Sequence, residues 1–158
     1  MQQGWVVVAA ARLAQAGATA DEVAAGAVAA IARTRLFVVL RTLDYVYKGG
    51  RIGRAQQLAG SALAIKPVLT FVDGVVTPLE RVRTWKRALA RATELALELP
   101  GPTDIAILQG GNPDDGDATA AALRQAFPAA NVSIHFVGPV LLTYAGPGAI
   151  GIAALLPE

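Results

Sequence analysis

Cysteine is absent from the 158 residues and histidine occurs once, at His135. A disulfide framework, a thiolate nucleophile and a multi-histidine metal centre are therefore excluded. Charge is scarce too, at 16% of residues with a formal net charge of +2, a field too weak by itself to recruit nucleic acid. Apart from Trp85, no aromatic residue interleaves with the basic ones, so a base-stacking platform has no support. The sequence holds no nucleophile elbow, phosphate-loop consensus or calcium loop. Asp114, Asp115 and Asp117 are followed by no Glu at calcium-loop spacing and read as turn and N-cap residues. His135 falls in the alternating stretch Asn131–Phe136, where a structural role outweighs a catalytic one. No catalytic constellation and no metal site remain, and no cofactor is expected.

What the chain has instead is apolar bulk, 54% of residues, punctuated by 16 Gly and 9 Pro. A chain of this length buries roughly 68 to 70% of its unfolded surface and fits one domain over residues 1–158. No basic n-region or cleavage site precedes the short apolar run Trp5–Ala11. Phe136–Leu156 is uncharged and long enough to cross a bilayer, but Pro139, Gly146, Pro147 and Gly148 interrupt it. Stable membrane insertion is not expected, and the cytoplasm is the default location.

Two helices are predicted first, Trp5–Gln15 and a second opened by the capping box Thr19–Glu22 and running to about Arg33. Leu36–Leu40 is a continuous apolar run of strand length, as expected for a strand covered on both faces. Thr42 can cap a short helix ending at Gly49-Gly50, and Gln56–Leu63 reads as another. Ile65–Val72 and Val75–Leu79, joined by Asp73-Gly74, predict a hairpin with a type I′ turn. A helix over Thr84–Leu99, a strand over Asp104–Leu108, a helix over Asp117–Phe127 and a strand over Val132–Val137 alternate in the βαβ manner. Gly146-Pro147-Gly148 is read as the start of a final apolar helix. The fold class is thus α/β, a mixed sheet flanked by helices with a hairpin insertion. Its parts are a helical start (5–33), a glycine-rich loop (42–54), the hairpin (65–79) and a βαβ part (84–156).

Two segments suggest anion binding, since each precedes an expected helix N-terminus: Gly49-Gly50-Arg51-Ile52-Gly53-Arg54 and Gly146-Pro147-Gly148. Arg51 and Arg54 can present planar forks to a carboxylate or phosphate. Helix C-cap with surface arginines, and helix-start punctuation, are the plainer readings of the two. Arg81, Arg83, Lys86, Arg87 and Arg91 form a basic run that is either a solvated helix face or a docking surface for an acidic partner or a phosphate.

Four segments, in order and spacing, resemble the DegV family over nearly the whole chain. They are Thr42–Gly53 with Tyr45 and Gly49-Gly50-Arg51-Ile52; Ile65-Lys66-Pro67-Val68-Leu69; Asp73-Gly74 followed by Val82-Arg83-Thr84; and Gly138-Pro139-Val140 followed by Thr143–Gly151. The resemblance implies the C-terminal part of the DegV fold, a carrier of one long-chain fatty acid rather than an enzyme. It implies a fatty-acid kinase with a dihydroxyacetone-kinase-like domain as partner, which makes the acyl phosphate for phospholipid synthesis. By the same resemblance, Arg51, Ile52, Thr143, Tyr144 and the backbone of Gly146 and Gly148 lie at the ligand. Arg54, Arg83 and Lys86 then face the partner. Leu43, Val46, Ile52, Leu63, Ile65 and Leu69 are candidates for the tail's lining as well as for ordinary core. Family members begin with another lobe, whose Ser and Thr residues bind the carboxylate, so a separate N-terminal lobe is a possible partner. The family's histidines are Tyr144 and Gln109 here, and tyrosine donates a hydrogen bond without titrating near neutrality. Two other readings are a truncated or split DegV lobe acting only as an interaction module, its missing half on a neighbouring chain, and a phosphoryl-transfer enzyme using the arginine loop.

Overall fold

A computed structural model of the chain describes residues 1–56 and 65–158. The predicted helix over Gln56–Leu63 lies, but for its first residue, outside them. The elements are α1 (Gln2–Gln15), α2 (Ala20–Arg33), β1 (Thr34–Val39), α3 (Asp44–Lys48), β2 (Val68–Val72), β3 (Val75–Glu80), α4 (Trp85–Leu97), β4 (Asp104–Gln109), α5 (Pro113–Ala126), β5 (Asn131–Phe136), α6 (Pro139–Ala145) and β6 (Ile150–Leu155). Among the described residues, six strands form one open sheet in the order β3-β2-β1-β6-β4-β5, with only β4 and β5 parallel. The α/β class with a mixed, helix-flanked sheet is therefore what the chain adopts. The hairpin forms one edge of this sheet, since β2 pairs with β1 through Val38–Leu69 and Val39–Val68.

Local chemistry explains most of these elements. At α2, Thr19 accepts a hydrogen bond from the Glu22 amide while the Glu22 carboxylate accepts from the Thr19 amide, closing the expected capping box. Thr19→Ala should cost about 1 kcal/mol, seen as a melting point lower by roughly 2–4 °C. The hairpin turn places Asp73 at φ 51° and Gly74 at φ 75°, the left-handed pair that a type I′ turn demands. Thr84 caps α4 through the Arg87 amide. Thr42 accepts from the Asp44 amide, but the α3 N-cap position itself is Leu43.

Several expected boundaries and one expected element are corrected; among them, β1 begins at Thr34 rather than Leu36 and β2 at Val68 rather than Ile65. Helix α1 begins at Gln2 rather than Trp5, and α5 begins at Pro113 rather than Asp117. Proline is favoured in a helix's first turn because its missing N–H has no intrahelical partner there. The segment after Gly148 is a strand, β6, and not a helix. All six of its residues are buried, because it sits between β1 and β4 in the middle of the sheet. A run apolar on every side is as compatible with a doubly covered strand as with a buried helix, so periodicity could not separate the two.

The two sheet faces are unlike. Phe37, Val39, Ile105, Ile107, Ile152 and Ala154 pack against Ala88, Ala92 and Ala96 of α4 and Ala120 and Leu123 of α5 in one continuous core. The opposite face carries two separate clusters. Trp5 of α1 packs on Leu36, Ala106 and Ala153 at one end, and its indole Nε1 donates to the Ala153 carbonyl at 3.0 Å. Leu40, Leu43, Val46, Ile52, Leu69, Val76 and Ala149 form the other. Val38 touches both clusters.

Candidate functional site

The gap between those two clusters is an apolar groove of about 730 Å³, within the 300–1,000 Å³ range of small-molecule sites. Its floor is the sheet itself. Leu69, Val38, Gly151 and Leu108 stand side by side on β2, β1, β6 and β4, since Val38 pairs with Leu69 and Gly151, and Gly151 with Leu108. Met1, Gln2 and Gln3 at the start of α1 border one side; Val46, Leu141, Tyr144 and Ala145 of α3 and α6 border the other. Phe71 and Val75 from the hairpin and Val137 after β5 mark the two ends. Phe71, Val75 and Leu141 are exposed, so the rim is apolar as well as the interior.

Arg51 is the one charged side chain among the described lining residues. Its guanidinium lies 4.9 Å from the centre of the Tyr144 ring and donates to the Gly49 carbonyl at 2.8 Å. Tyr144 in turn rests where a Gly49 side chain would be, with its Cδ1 only 2.5 Å from the position of a Cβ. The relation is reciprocal. The Tyr45 ring of α3 occupies the corresponding space over Gly146, again at 2.5 Å. Each short helix thus seats one tyrosine on the glycine that ends the other, and this clasp fixes Arg51 and Tyr144 at the groove's edge.

Of the residues anticipated at the ligand, the structure brings Arg51 and Tyr144 together at the groove. Ile52 is buried in the cluster with Val46 and Leu69, two residues that do line it. Thr143 is exposed, and its Oγ1 donates to the Val140 carbonyl within α6. The Gly146 amide donates to Leu142 and the Gly148 amide to Gly110, so neither N–H is free for a ligand in this arrangement. Because Gly146 and Gly148 follow α6 and precede a strand, the helix N-terminus expected at them does not form. After Gly49-Gly50 the described chain makes only a short 3₁₀ turn over residues 53–56. Among the tail candidates, Val46 and Leu69 line the groove, Leu43 is buried core, Ile65 is partly buried outside the lining, and Leu63 lies outside the described residues.

Arg54, Arg83 and Lys86 are all exposed. A second, polar concavity of about 580 Å³ is lined by Arg81, Arg83, Arg87 and Arg91 together with Glu80, Thr84 and Glu94. Arg91 is neutralised there by Glu80, Glu94 and Glu98 at 2.7–3.1 Å. His135 is exposed and bonded to the Ser133 hydroxyl at 2.9 Å. Asp115 accepts from the Trp85 indole at 2.6 Å and also pairs with Arg41, whose guanidinium stacks 3.6 Å above the Trp85 ring. That carboxylate is a structural link between α4 and α5. Gln109 is buried on the far side of the sheet against Gly116, its Oε1 without a partner among the described residues. No group of three metal-ligating side chains and no helix long and apolar enough to cross a membrane occurs among the described residues.

The fold and groove define an α/β protein with a mixed six-stranded sheet, one face of which is left partly open as an apolar trough. The sequence profile for the DegV family of uncharacterised proteins matches residues 1–156. The chain belongs to the DegV family. It is 43% identical over 155 residues to a DegV domain-containing protein of Streptomyces coelicolor, covering 96% of this chain and 55% of that protein. The crystal structure of a fatty acid binding DegV family protein from Streptococcus agalactiae superposes with a TM-score of 0.87 at 29% identity, over 97% of this chain and 55% of that one. DegV of Bacillus subtilis, a fatty acid binding protein, superposes with a TM-score of 0.86 at 26% identity, over 99% and 57%. The chain spans about half the length of these relatives.

Proposed function

We propose that this chain binds one long-chain fatty acid, with the hydrocarbon tail in the groove over Val38, Gly151 and Leu108 and the carboxylate at Arg51 and Tyr144. One observation carries the reading: among the described residues, a largely aliphatic trough has one charged side chain, a cation, at its edge. Burying about fourteen methylenes yields roughly 11 kcal/mol of gross transfer free energy, from which association and ordering costs are subtracted. A single charge-assisted contact then suffices to orient the head. The Streptococcus agalactiae and Bacillus subtilis relatives, both described as fatty acid binding, support the same ligand class.

In this proposal the chain is a carrier lobe and not an enzyme, working in the cytoplasm with the fatty acid as its ligand and no cofactor. A second lobe, on the same or another polypeptide, covers the exposed rim at Phe71, Val75 and Leu141. Arg54, Arg83 and Lys86 face a fatty-acid kinase with a dihydroxyacetone-kinase-like domain, which phosphorylates the presented acid for phospholipid synthesis. The exposed cations flanking the polar concavity support an acidic partner surface of that kind.

Titration calorimetry with hexadecanoate and hexadecanol tests the head-group assignment. Arg51→Ala should weaken the acid by about 10- to 100-fold, the worth of one charged hydrogen bond, and leave the alcohol nearly unchanged. Equal weakening of both ligands would move the carboxylate away from Arg51.

A further inference from the structure

The groove runs across the strands, not along them. Its floor passes from Leu69 on β2 through Val38 and Gly151 to Leu108 on β4, three inter-strand steps of about 4.8 Å, or roughly 14 Å. Carbon–carbon bonds of about 1.5 Å advance an extended chain by about 1.3 Å each, so this path holds roughly eleven carbons. Midway along it the floor residue is glycine. Gly151 stands between Val38 and Leu108, and its neighbours on the same face of β6 region, Ala149 and Ala153, are larger and buried in the flanking clusters.

Glycine inside a central strand weakens the strand and marks a place where another chain comes close. Nothing in the packing requires it here. The three atoms nearest a Cβ at residue 151 would all belong to Leu108, at 3.4–3.8 Å, which is ordinary contact. The missing side chain instead leaves a notch where the two flanking clusters approach each other, so the space it opens belongs to the groove.

We infer that Gly151 is the length-determining residue of the groove, the pass through which a long acyl tail crosses from the hairpin end to the β4 end. This rests on the carrier reading above. A branched side chain at residue 151 would divide the trough into two short pockets, each still able to hold a short tail. Selection by chain length then follows from one position, while affinity for short acids does not depend on it.

The test is a binding series with octanoate and hexadecanoate on the wild-type chain, Gly151→Ala and Gly151→Val, with thermal melts as the folding control. Wild type should bind hexadecanoate far more tightly than octanoate. Gly151→Val should lose about tenfold or more of its hexadecanoate affinity while octanoate changes by less than about twofold, and Gly151→Ala should fall between. Should Gly151→Val not fold, Leu108→Phe narrows the same point from the adjacent strand and must give the same asymmetric loss. A wild-type chain that binds neither acid overturns the carrier reading. A wild-type chain that prefers the long acid, with variants that lose both acids equally or neither, overturns the role of Gly151 alone.

Discussion

Arg12→Ala should destabilise the chain by about 3 kcal/mol and lower its melting temperature by roughly 6–12 °C. Asp104 opens β4 with a side chain only 2% exposed, and the Arg12 guanidinium from α1 grips both carboxylate oxygens at 2.7 Å. Removing the arginine strands a buried charge, which costs far more than a surface pair would suggest. Thr103 and Asn131 still donate to the carboxylate at 3.0 and 3.4 Å, which keeps the loss at the low end of the range for such pairs. The Arg12 hydrogen bonds, reinforced by Thr103 and Asn131, hold this carboxyl below the usual carboxylate range against the opposing effect of burial. A lowered folded-state value stabilises above the unfolded one, so the contribution is full above about pH 5 and is lost as pH falls below about 4. Urea midpoints at pH 7 and pH 3 should therefore differ less in Arg12→Ala than in wild type. An equal acid loss in both would assign the linkage to other groups.

Gly146→Ala should cost about 3 kcal/mol and, under the proposed carrier role, weaken fatty-acid binding at the same time. Its backbone, at φ 78° and ψ 162°, lies in a region that only glycine adopts readily, worth about 1–3 kcal/mol of strain for any other residue. An added Cβ would also stand 2.5 Å from the Tyr45 ring. The steric part can be separated from the strain by a double-mutant cycle with Tyr45→Ala, which empties the seat without relaxing the backbone. A coupling of about 1 kcal/mol or more is expected; additivity would show that Tyr45 does not sit against Gly146. Because the same clasp seats Tyr144 on Gly49 under Arg51, either single variant should also disturb the acid's head group.

Much of this architecture was legible in the sequence, and for identifiable reasons. The Thr19–Glu22 box, the Asp73-Gly74 turn and the alternation of β4, α5 and β5 each follow from local chemistry that tertiary packing did not override. The final strand carries no period to read, since all six residues of Ile150–Leu155 are apolar and buried. Read as a helix, the same run would put a helix N-terminus and an anion site at Gly146-Pro147-Gly148, whereas the Gly146 and Gly148 amides are engaged by the Leu142 and Gly110 carbonyls. Arg51 stands out already in the glycine-rich loop, whereas Tyr144 enters through the resemblance alone, and the structure sets the two side by side at the groove's edge. Val38, Leu108 and Gly151 left no local signal, since a groove floor is written in cross-strand register between segments more than forty residues apart, which no window along the chain can show.

The most direct measurement is native mass spectrometry of the chain purified from bacterial cytoplasm, followed by extraction and identification of any bound lipid. The account predicts one long-chain fatty acid per chain, displaced stoichiometrically by added hexadecanoate and absent from a Val38→Asp variant that places a charge on the groove floor. A chain that is empty as isolated and takes up no hexadecanoate at any concentration below its solubility limit, while remaining folded, would contradict it.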